Sequence, residues 1–147
     1  MRRFREDLKS GGQIAGIEFG DPIKPYAAVW LHATGFNAMT YQSMLAPLGL
    51  RARVAALDMR GHGLSSLPAK GALASWNKYR DDVIEFLEAR APQGVVLGGH
   101  SMGGCVALLV AGKRYYTTGG ALNTLRDSQS HKNTSTHAEA LTANAEA

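Results

Sequence analysis

Apolar residues in this chain come in short runs whose period switches between two and about 3.6, which predicts strands and helices in turn. Gln13–Phe19 roughly alternates between two faces and stops at Gly20-Asp21-Pro22, the pattern of a half-buried outer strand followed by a turn. Tyr26–Leu31 is almost continuously apolar and ends in His32, as expected of a strand buried on both faces of a parallel sheet. Over residues 40–48, Tyr41, Met44, Leu45 and Leu48 recur at helical spacing and Gly49 follows as a stop, so a crossover helix is expected. Residues 54–57 form a second buried strand that runs into Asp58 and the glycine-rich Arg60-Gly61-His62-Gly63. With Ser75 as N-cap, residues 76–89 place Trp76, Tyr79, Val83, Phe86 and Leu87 on one helical face, with Arg80, Asp81, Asp82, Glu85 and Glu88 largely opposite. Val95, Val96 and Leu97, within 94–98, make a third buried strand, and 103–113 is helical by length and composition. Strands alternating with helices predict an α/β fold, a mostly parallel sheet with right-handed crossovers and flanking helices.

The pattern ends near residue 115. Tyr115-Tyr116-Thr117-Thr118-Gly119-Gly120 leads into Thr, Ser, Asn and Ala residues whose only large aliphatics are Leu122, Leu125 and Leu141. So few buried-type residues cannot offset the entropy of ordering the segment, and it reads as a poorly ordered or weakly helical polar tail. The division is therefore a core over 13–114 and a tail over 115–147.

Composition narrows the function classes. The chain has 147 residues, 45% of them hydrophobic, as for one folded domain. Its net charge of +4 is partly concentrated in Met1-Arg2-Arg3-Phe4-Arg5 and otherwise interspersed with carboxylates, a poor footprint for nucleic acid. Glu6, Asp7 and Lys9 stand where a secretory signal needs an apolar stretch. The apolar runs over 27–31 and 105–111 are far short of the roughly 20 residues of a membrane span. Cys105 is the only cysteine, which excludes an internal disulfide and a Cys-based metal cluster and makes a reducing, cytoplasmic setting the default.

The residues that point to chemistry are Gly99-His100-Ser101-Met102-Gly103. A serine hydroxyl is a weak nucleophile, so an acyl-transfer site must expose it, deprotonate it and stabilise the oxyanion that forms. A strand before this motif and a helix after it would force a sharp turn at Ser101, and glycines at Gly99 and Gly103 remove the side chains that would block the crossing. The helix start then aims the Met102 backbone N–H, and the positive end of its dipole, at the same space. The five-residue pattern also occurs by chance as a glycine-rich turn with a bystander serine, but Val95-Val96-Leu97 before it and 105–111 after it supply the strand and the helix.

From about residue 13 to 114 the chain resembles the N-terminal half of a serine α/β-hydrolase. Beside the elbow, Trp30-Leu31-His32-Ala33-Thr34-Gly35-Phe36-Asn37 resembles the strand-end loop whose backbone supplies the other oxyanion donor. The resemblance puts that donor at Phe36, whose ring would line the acyl pocket, with Gly35 allowing close approach of the backbone. Asp58-Met59-Arg60-Gly61-His62-Gly63-Leu64-Ser65 is similar to the family's Asp-x-Arg-Gly-His-Gly-x-Ser segment. There Asp58 and Arg60 are expected to bond neighbouring loops, and His62 to sit in a tight turn. An alternative makes His62 the catalytic base, against the order Ser, acid, His that such triads follow along the chain. His32 and His100 read as structural neighbours of the site, and Cys105 as a small core residue.

What the resemblance implies is a hydrolase of carboxylic esters, thioesters, lactones or similar carbonyl compounds, working on a small molecule through an acyl-enzyme on Ser101, without metal or organic cofactor. Serine at the elbow disfavours the branches that attack with a carboxylate; carbon–carbon bond hydrolases and cofactor-free haloperoxidases stay open. No strand pattern is recognisable after the elbow helix to carry an acid and a histidine. The downstream candidates Asp127, His131, His137, Glu139 and Glu146 all fall in the polar tail. A truncated or frame-shifted reading of a longer hydrolase, or an inactive or binding-only chain that has lost its base, is therefore the rival expectation.

Overall fold

The computed structural model describes residues 1–69 and 75–117. The strands are β1 (Arg2–Asp7), β2 (Gln13–Phe19), β3 (Tyr26–Leu31), β4 (Arg53–Asp58) and β5 (Val96–Gly99). The helices are α1 (Gln42–Leu45), set between 3-10 turns at Ala38–Tyr41 and Leu48–Leu50, then α2 (Asn77–Arg90) and α3 (Met102–Thr117). One sheet runs β1-β2-β4-β3-β5. It is mixed: β3 lies parallel to β4 and β5, whereas β1–β2 and β2–β4 are antiparallel.

Because successive strand residues face opposite ways, the two-sided apolar runs of β3 and β4 supply two cores. Val29, Leu31, Ala55 and Leu57 face α2 and α3, packing with Val83, Phe86, Leu87, Met102, Val106 and Val110. Val54 and Ala56, with Ala28 and Trp30 packed alongside, face the 38–50 segment, where Ala38, Tyr41 and Leu45 cover them. The β3–β4 connection thus lies on one face and the β4–β5 connection on the other, giving the three layers that the alternating pattern predicts.

Several local expectations are corrected. Gln13–Phe19 is not the outer strand, because β1 covers its free edge. β1 (RRFRED) escapes a periodicity reading because it is an edge strand dressed in charge, which protects an edge from stray pairing. Nor is β2 half-buried: all of it but Gln13 is buried, Glu18 included. Tyr26 donates to its carboxylate, Arg53 bonds it through Nε at 3.1 Å and Nη2 at 2.8 Å, and Arg2 pairs with it at 3.1 Å. The crossover helix expected over 40–48 is one α-turn between two 3-10 turns; Pro47 lacks the N–H that would extend it, and Met44 and Leu48 are exposed. On α2, Trp76 is exposed and precedes the helix, while Asp82 lies buried on the inner side, held by Arg60. Ser75 accepts the Asn77 N–H at 3.2 Å, two residues further on. β5 starts at Val96, which is 57% exposed, so it is not the buried strand expected; β3 is its only strand neighbour among the described residues. α3 runs on to Thr117, past the expected end at 113. The tail beyond it lies outside the described residues.

Two outcomes test this architecture. A Cβ at Gly16 would overlap the Ala56 carbonyl oxygen and the Phe4 ring, so Gly16→Ala should lower unfolding free energy by about 1–3 kcal/mol in urea titrations. Burial alone would raise the Glu18 carboxyl, but bonds from Tyr26 and Arg53 and the charges of Arg53 and Arg2 hold it below its ordinary 4.5. A lowered folded value means stability that is present above about pH 4.5 and lost as pH falls below it. The acid loss of stability should be shallower in Glu18→Gln than in the parent chain.

Candidate active site

The carboxyl ends of β3 and β5 lie side by side, and the chain leaves them toward opposite faces: from β3 toward α1, from β5 into α3. Neighbouring strands whose connections diverge in this way leave a crevice at their carboxyl ends, the usual ligand position in open α/β sheets. The loop 32–37 and the elbow 99–103 flank that crevice.

At the elbow, Ser101 has φ +52°, the only non-glycine residue with positive φ among those described. An L-residue in this left-handed region is strained, and the surrounding contacts hold it there. A Cβ on Gly99 would overlap the backbone of Gly103, and one on Gly103 would overlap the Leu31 carbonyl. Only with both positions bare can the first turn of α3 lie against the end of β3. The His100 N–H donates to Leu31 O at 3.0 Å, the Gly103 N–H to His100 O at 2.9 Å, and the Cys105 N–H to Ser101 O at 3.1 Å. Met102, the first residue of α3, has an N–H with no intrahelical acceptor and stands at the positive end of the helix dipole. Cys105 is partly buried one turn into the helix.

The loop after β3 is pinned at four points. The Ala33 N–H donates to the Tyr41 hydroxyl oxygen at 3.2 Å, and that hydroxyl is hydrogen-bonded to His100 Nδ1 at 3.0 Å. The Thr34 hydroxyl reaches Met102 Sδ at 3.4 Å. The Gly35 N–H donates to His62 Nε2 at 3.2 Å, and the Phe36 N–H closes a turn onto Ala33 O at 3.1 Å. Gly35 sits at φ +77°, a conformation glycine adopts freely. Phe36 is 43% exposed, its ring centroid 6.0 Å from that of His100. Of these amides, that of Thr34 has no partner among the described residues. Sequence reasoning missed both Thr34 and Tyr41. Tyr41 counted only as a helical apolar position, and nothing in its spacing shows that its hydroxyl reaches two loops.

Of the three histidines near the site, His32 and His62 have both ring nitrogens bonded and His100 has Nδ1 bonded. His32 is fully buried; Met59 N–H donates to its Nε2 at 2.9 Å, so Nδ1 carries the hydrogen and donates to Ala33 O at 2.8 Å. Burial holds its imidazole below the ordinary value, more strongly than the Ala33 bond raises it. His100 Nδ1 bonds the Tyr41 hydroxyl. His62 faces Arg60 O through Nδ1 at 2.8 Å and Gly35 N–H through Nε2. With both nitrogens engaged, His62 has no lone pair free in this arrangement to take the Ser101 proton, which speaks against the alternative that it is the base.

Asp58 ties the two loops together: one oxygen accepts the Ala38 N–H at 2.7 Å, the other the Leu64 N–H at 2.9 Å. A Cβ on Gly63 would overlap the Asp58 carboxylate. Arg60 grips Asp82 with two bonds, 2.8 Å from Nε and 2.7 Å from Nη2, and so fastens the 59–68 segment to α2. The Asp82 bond holds Arg60 above its ordinary value, while burial pushes the Asp82 carboxyl up more than Arg60 draws it down. Among the described residues, no group of three His, Cys, Asp or Glu side chains converges as metal ligands would, and no helix is long and apolar enough to cross a membrane. The candidates Asp127, His131, His137, Glu139 and Glu146 lie outside the described residues.

A family model described as "Alpha/beta hydrolase family" matches residues 28–140. The chain belongs to the α/β-hydrolase family. It is 34% identical over 96 residues to a serine hydrolase-like protein of Danio rerio, covering 65% of this chain and 28% of that protein. It is 32% identical over 85 residues to 2-(acetamidomethylene)succinate hydrolase of Mesorhizobium japonicum, covering 58% and 30%. Among solved structures, that of E-2-(acetamidomethylene)succinate hydrolase superposes with a TM-score of 0.66 at 26% identity, covering 76% of this chain and 40% of that one. A membrane phospholipase A superposes with a TM-score of 0.69 at 27% identity, covering 78% and 36%. This α/β-hydrolase chain thus spans less than a third of the length of these curated relatives and under half of these solved structures.

The strain at Ser101 has a measurable consequence. Ser101→Gly relieves the left-handed backbone and Ser101→Ala does not, so the glycine variant should be the more stable of the two by about 1 kcal/mol in urea or thermal unfolding.

Proposed function

We propose that this chain is the nucleophile-bearing part of a serine hydrolase acting on an ester, thioester, lactone or similar carbonyl compound. The observation that carries the reading is Ser101 itself, held at φ +52° between β5 and α3 at the divergence of the β3 and β5 connections. In the proposed step the Ser101 oxygen bonds to the substrate carbonyl carbon, its proton passes to a base, and the bond to the leaving group breaks as that proton is delivered to the departing alcohol or thiol. Water then cleaves the resulting acyl-serine and returns the proton to the oxygen.

The carbonyl oxygen becomes an anion on the way and needs two donors. The Met102 N–H is one. For the second, the Phe36 N–H would have to leave Ala33 O, whereas the Thr34 N–H is uncommitted among the described residues and its side chain already touches Met102. The reading therefore takes Thr34 with Met102 as the donor pair and keeps the Phe36 ring beside the acyl pocket. His100, through Tyr41, links the elbow to the donor loop.

A second reading, a chain that binds such compounds without turning them over, is favoured by the structural bonds that occupy both ring nitrogens of His32 and His62. Without a base, turnover falls by about 10⁶, though oxyanion donors and binding alone retain roughly 10³–10⁴ over water. Incubation with a fluorophosphonate probe and a short-chain aryl ester separates the two. Covalent labelling that disappears in Ser101→Ala, with a burst of phenol, is the expected result for the enzyme. Labelling without sustained phenol release selects the binding reading, and absence of labelling in folded protein overturns the serine nucleophile.

A further inference from the structure

The loop that carries Thr34 is held at its tip by an imidazole, and the hydrogen positions on that imidazole follow from its partners. Arg60 O can only accept, so His62 Nδ1, 2.8 Å away, carries the ring hydrogen. His62 Nε2 is then a bare acceptor, and it receives the Gly35 N–H at 3.2 Å. The arrangement requires the neutral ring. A second proton would fall on Nε2 and confront the Gly35 N–H donor with another donor, and the Thr34–Gly35 peptide would have to turn away.

We propose that His62 is a positioning residue for the oxyanion loop, whose neutral imidazole sets the Thr34–Gly35 peptide and whose protonation releases it, so that the site loses its donor geometry in acid. The proposal rests on the assignment of loop 32–37 to oxyanion binding. Of the three histidines, His62 is the one that accepts a backbone N–H from this loop. His32 is walled in completely, and His100 holds the loop only through the Tyr41 hydroxyl. His62 is also partly exposed, so a proton can reach it.

The groups around His62 decide whether the charged ring is accommodated elsewhere. From the end of β3 the His32 ring faces it at 4.8 Å between centroids, and an imidazole, neutral or cationic, offers no negative counter-charge. At the end of β4 the Asp58 carboxylate is occupied by the Ala38 and Leu64 N–H groups. In the same turn Arg60 is cationic and directed at Asp82 of α2, so it does not compete for Gly35. No carboxylate among the described residues bonds His62 to compensate for the lost acceptor role.

The test has two arms on the full chain. In ¹H–¹⁵N NMR, the His62 ring nitrogens should report the Nδ1–H tautomer at high pH, and the Gly35 amide should shift with the same midpoint as His62. A Gly35 amide that stays still while His62 titrates, or an Nε2–H tautomer, overturns the proposal. In the second arm, the rate of Ser101 labelling by a fluorophosphonate is followed against pH. The parent should lose labelling in acid as His62 protonates. His62→Gln, whose amide oxygen accepts a hydrogen bond and does not titrate there, should keep most of the neutral-pH rate and flatten that acid limb. His62→Phe should label about tenfold to a hundredfold more slowly at every pH, the scale of a misplaced loop. An acid limb unchanged in His62→Gln overturns the proposal even if the variant is slower. Should no chain be labelled, the serine-nucleophile reading fails while the NMR arm still decides the His62–Gly35 link; should His62→Gln not fold, the NMR arm needs no variant.

Discussion

The upper end of the sheet depends on one close approach, the first turn of α3 against the carbonyl end of β3. Side chains at Gly99 and Gly103 would collide with Gly103 and Leu31 backbone atoms, so two bare positions let the chain reverse from strand to helix within two residues. That reversal leaves Ser101 in a left-handed conformation and brings the Met102 side chain under Thr34. The strain is sustained because α3 is anchored on both sides: Val106 and Val110 are buried against the sheet, and the His100 N–H is bonded to Leu31 O. Moving α3 outward by a methyl group would separate the elbow from the loop it faces.

Around this contact the fold uses buried polar groups as fasteners between loops that share few apolar contacts. Asp58 joins the segment entering α1 to the turn after β4, Arg60 joins that turn to α2, and Tyr41 joins the loop after β3 to the elbow. Each fastener satisfies backbone or charged groups that would otherwise be stranded away from water, and the loss of one partner leaves the other unsatisfied at a cost of about 1–3 kcal/mol. At the opposite end of the parallel strands, Glu18, Arg53 and Tyr26 do the same for β2, β3 and β4, with Arg53 also bonding the carbonyls of Pro22 and Lys24. The sheet is thus cross-linked at both ends, and its apolar middle carries the packing.

β5 is the asymmetry in this design. It carries the elbow, is only four residues long, and has β3 as its one strand neighbour among the described residues, leaving Val96 largely exposed. In the longer relatives the matched region is a minor part of the whole, and what this chain carries of it is the β5–α3 elbow, the loop after β3 and the turn that braces them.

The sequence by itself determined the strand–helix order over β3, β4, α2, β5 and α3, because two-sided apolar runs and one-sided helical spacing depend only on which residues must leave water. It also determined the elbow, since glycines flanking a serine between a strand and a helix report a backbone restriction that is local. Tertiary structure alone decided the rest. Glu18 and Asp82 read as solvent-facing until Arg53 and Arg60 arrived from distant segments to neutralise them. The charged strand β1 has no hydrophobic signal of its own and exists by pairing with β2. The loop after β3 shows the difference most clearly. Sequence located residues 32–37, but which of its amides stays free depends on where Ala33 O, Tyr41 and His62 come to lie, and those positions are set by packing across the sheet rather than by any spacing along the chain.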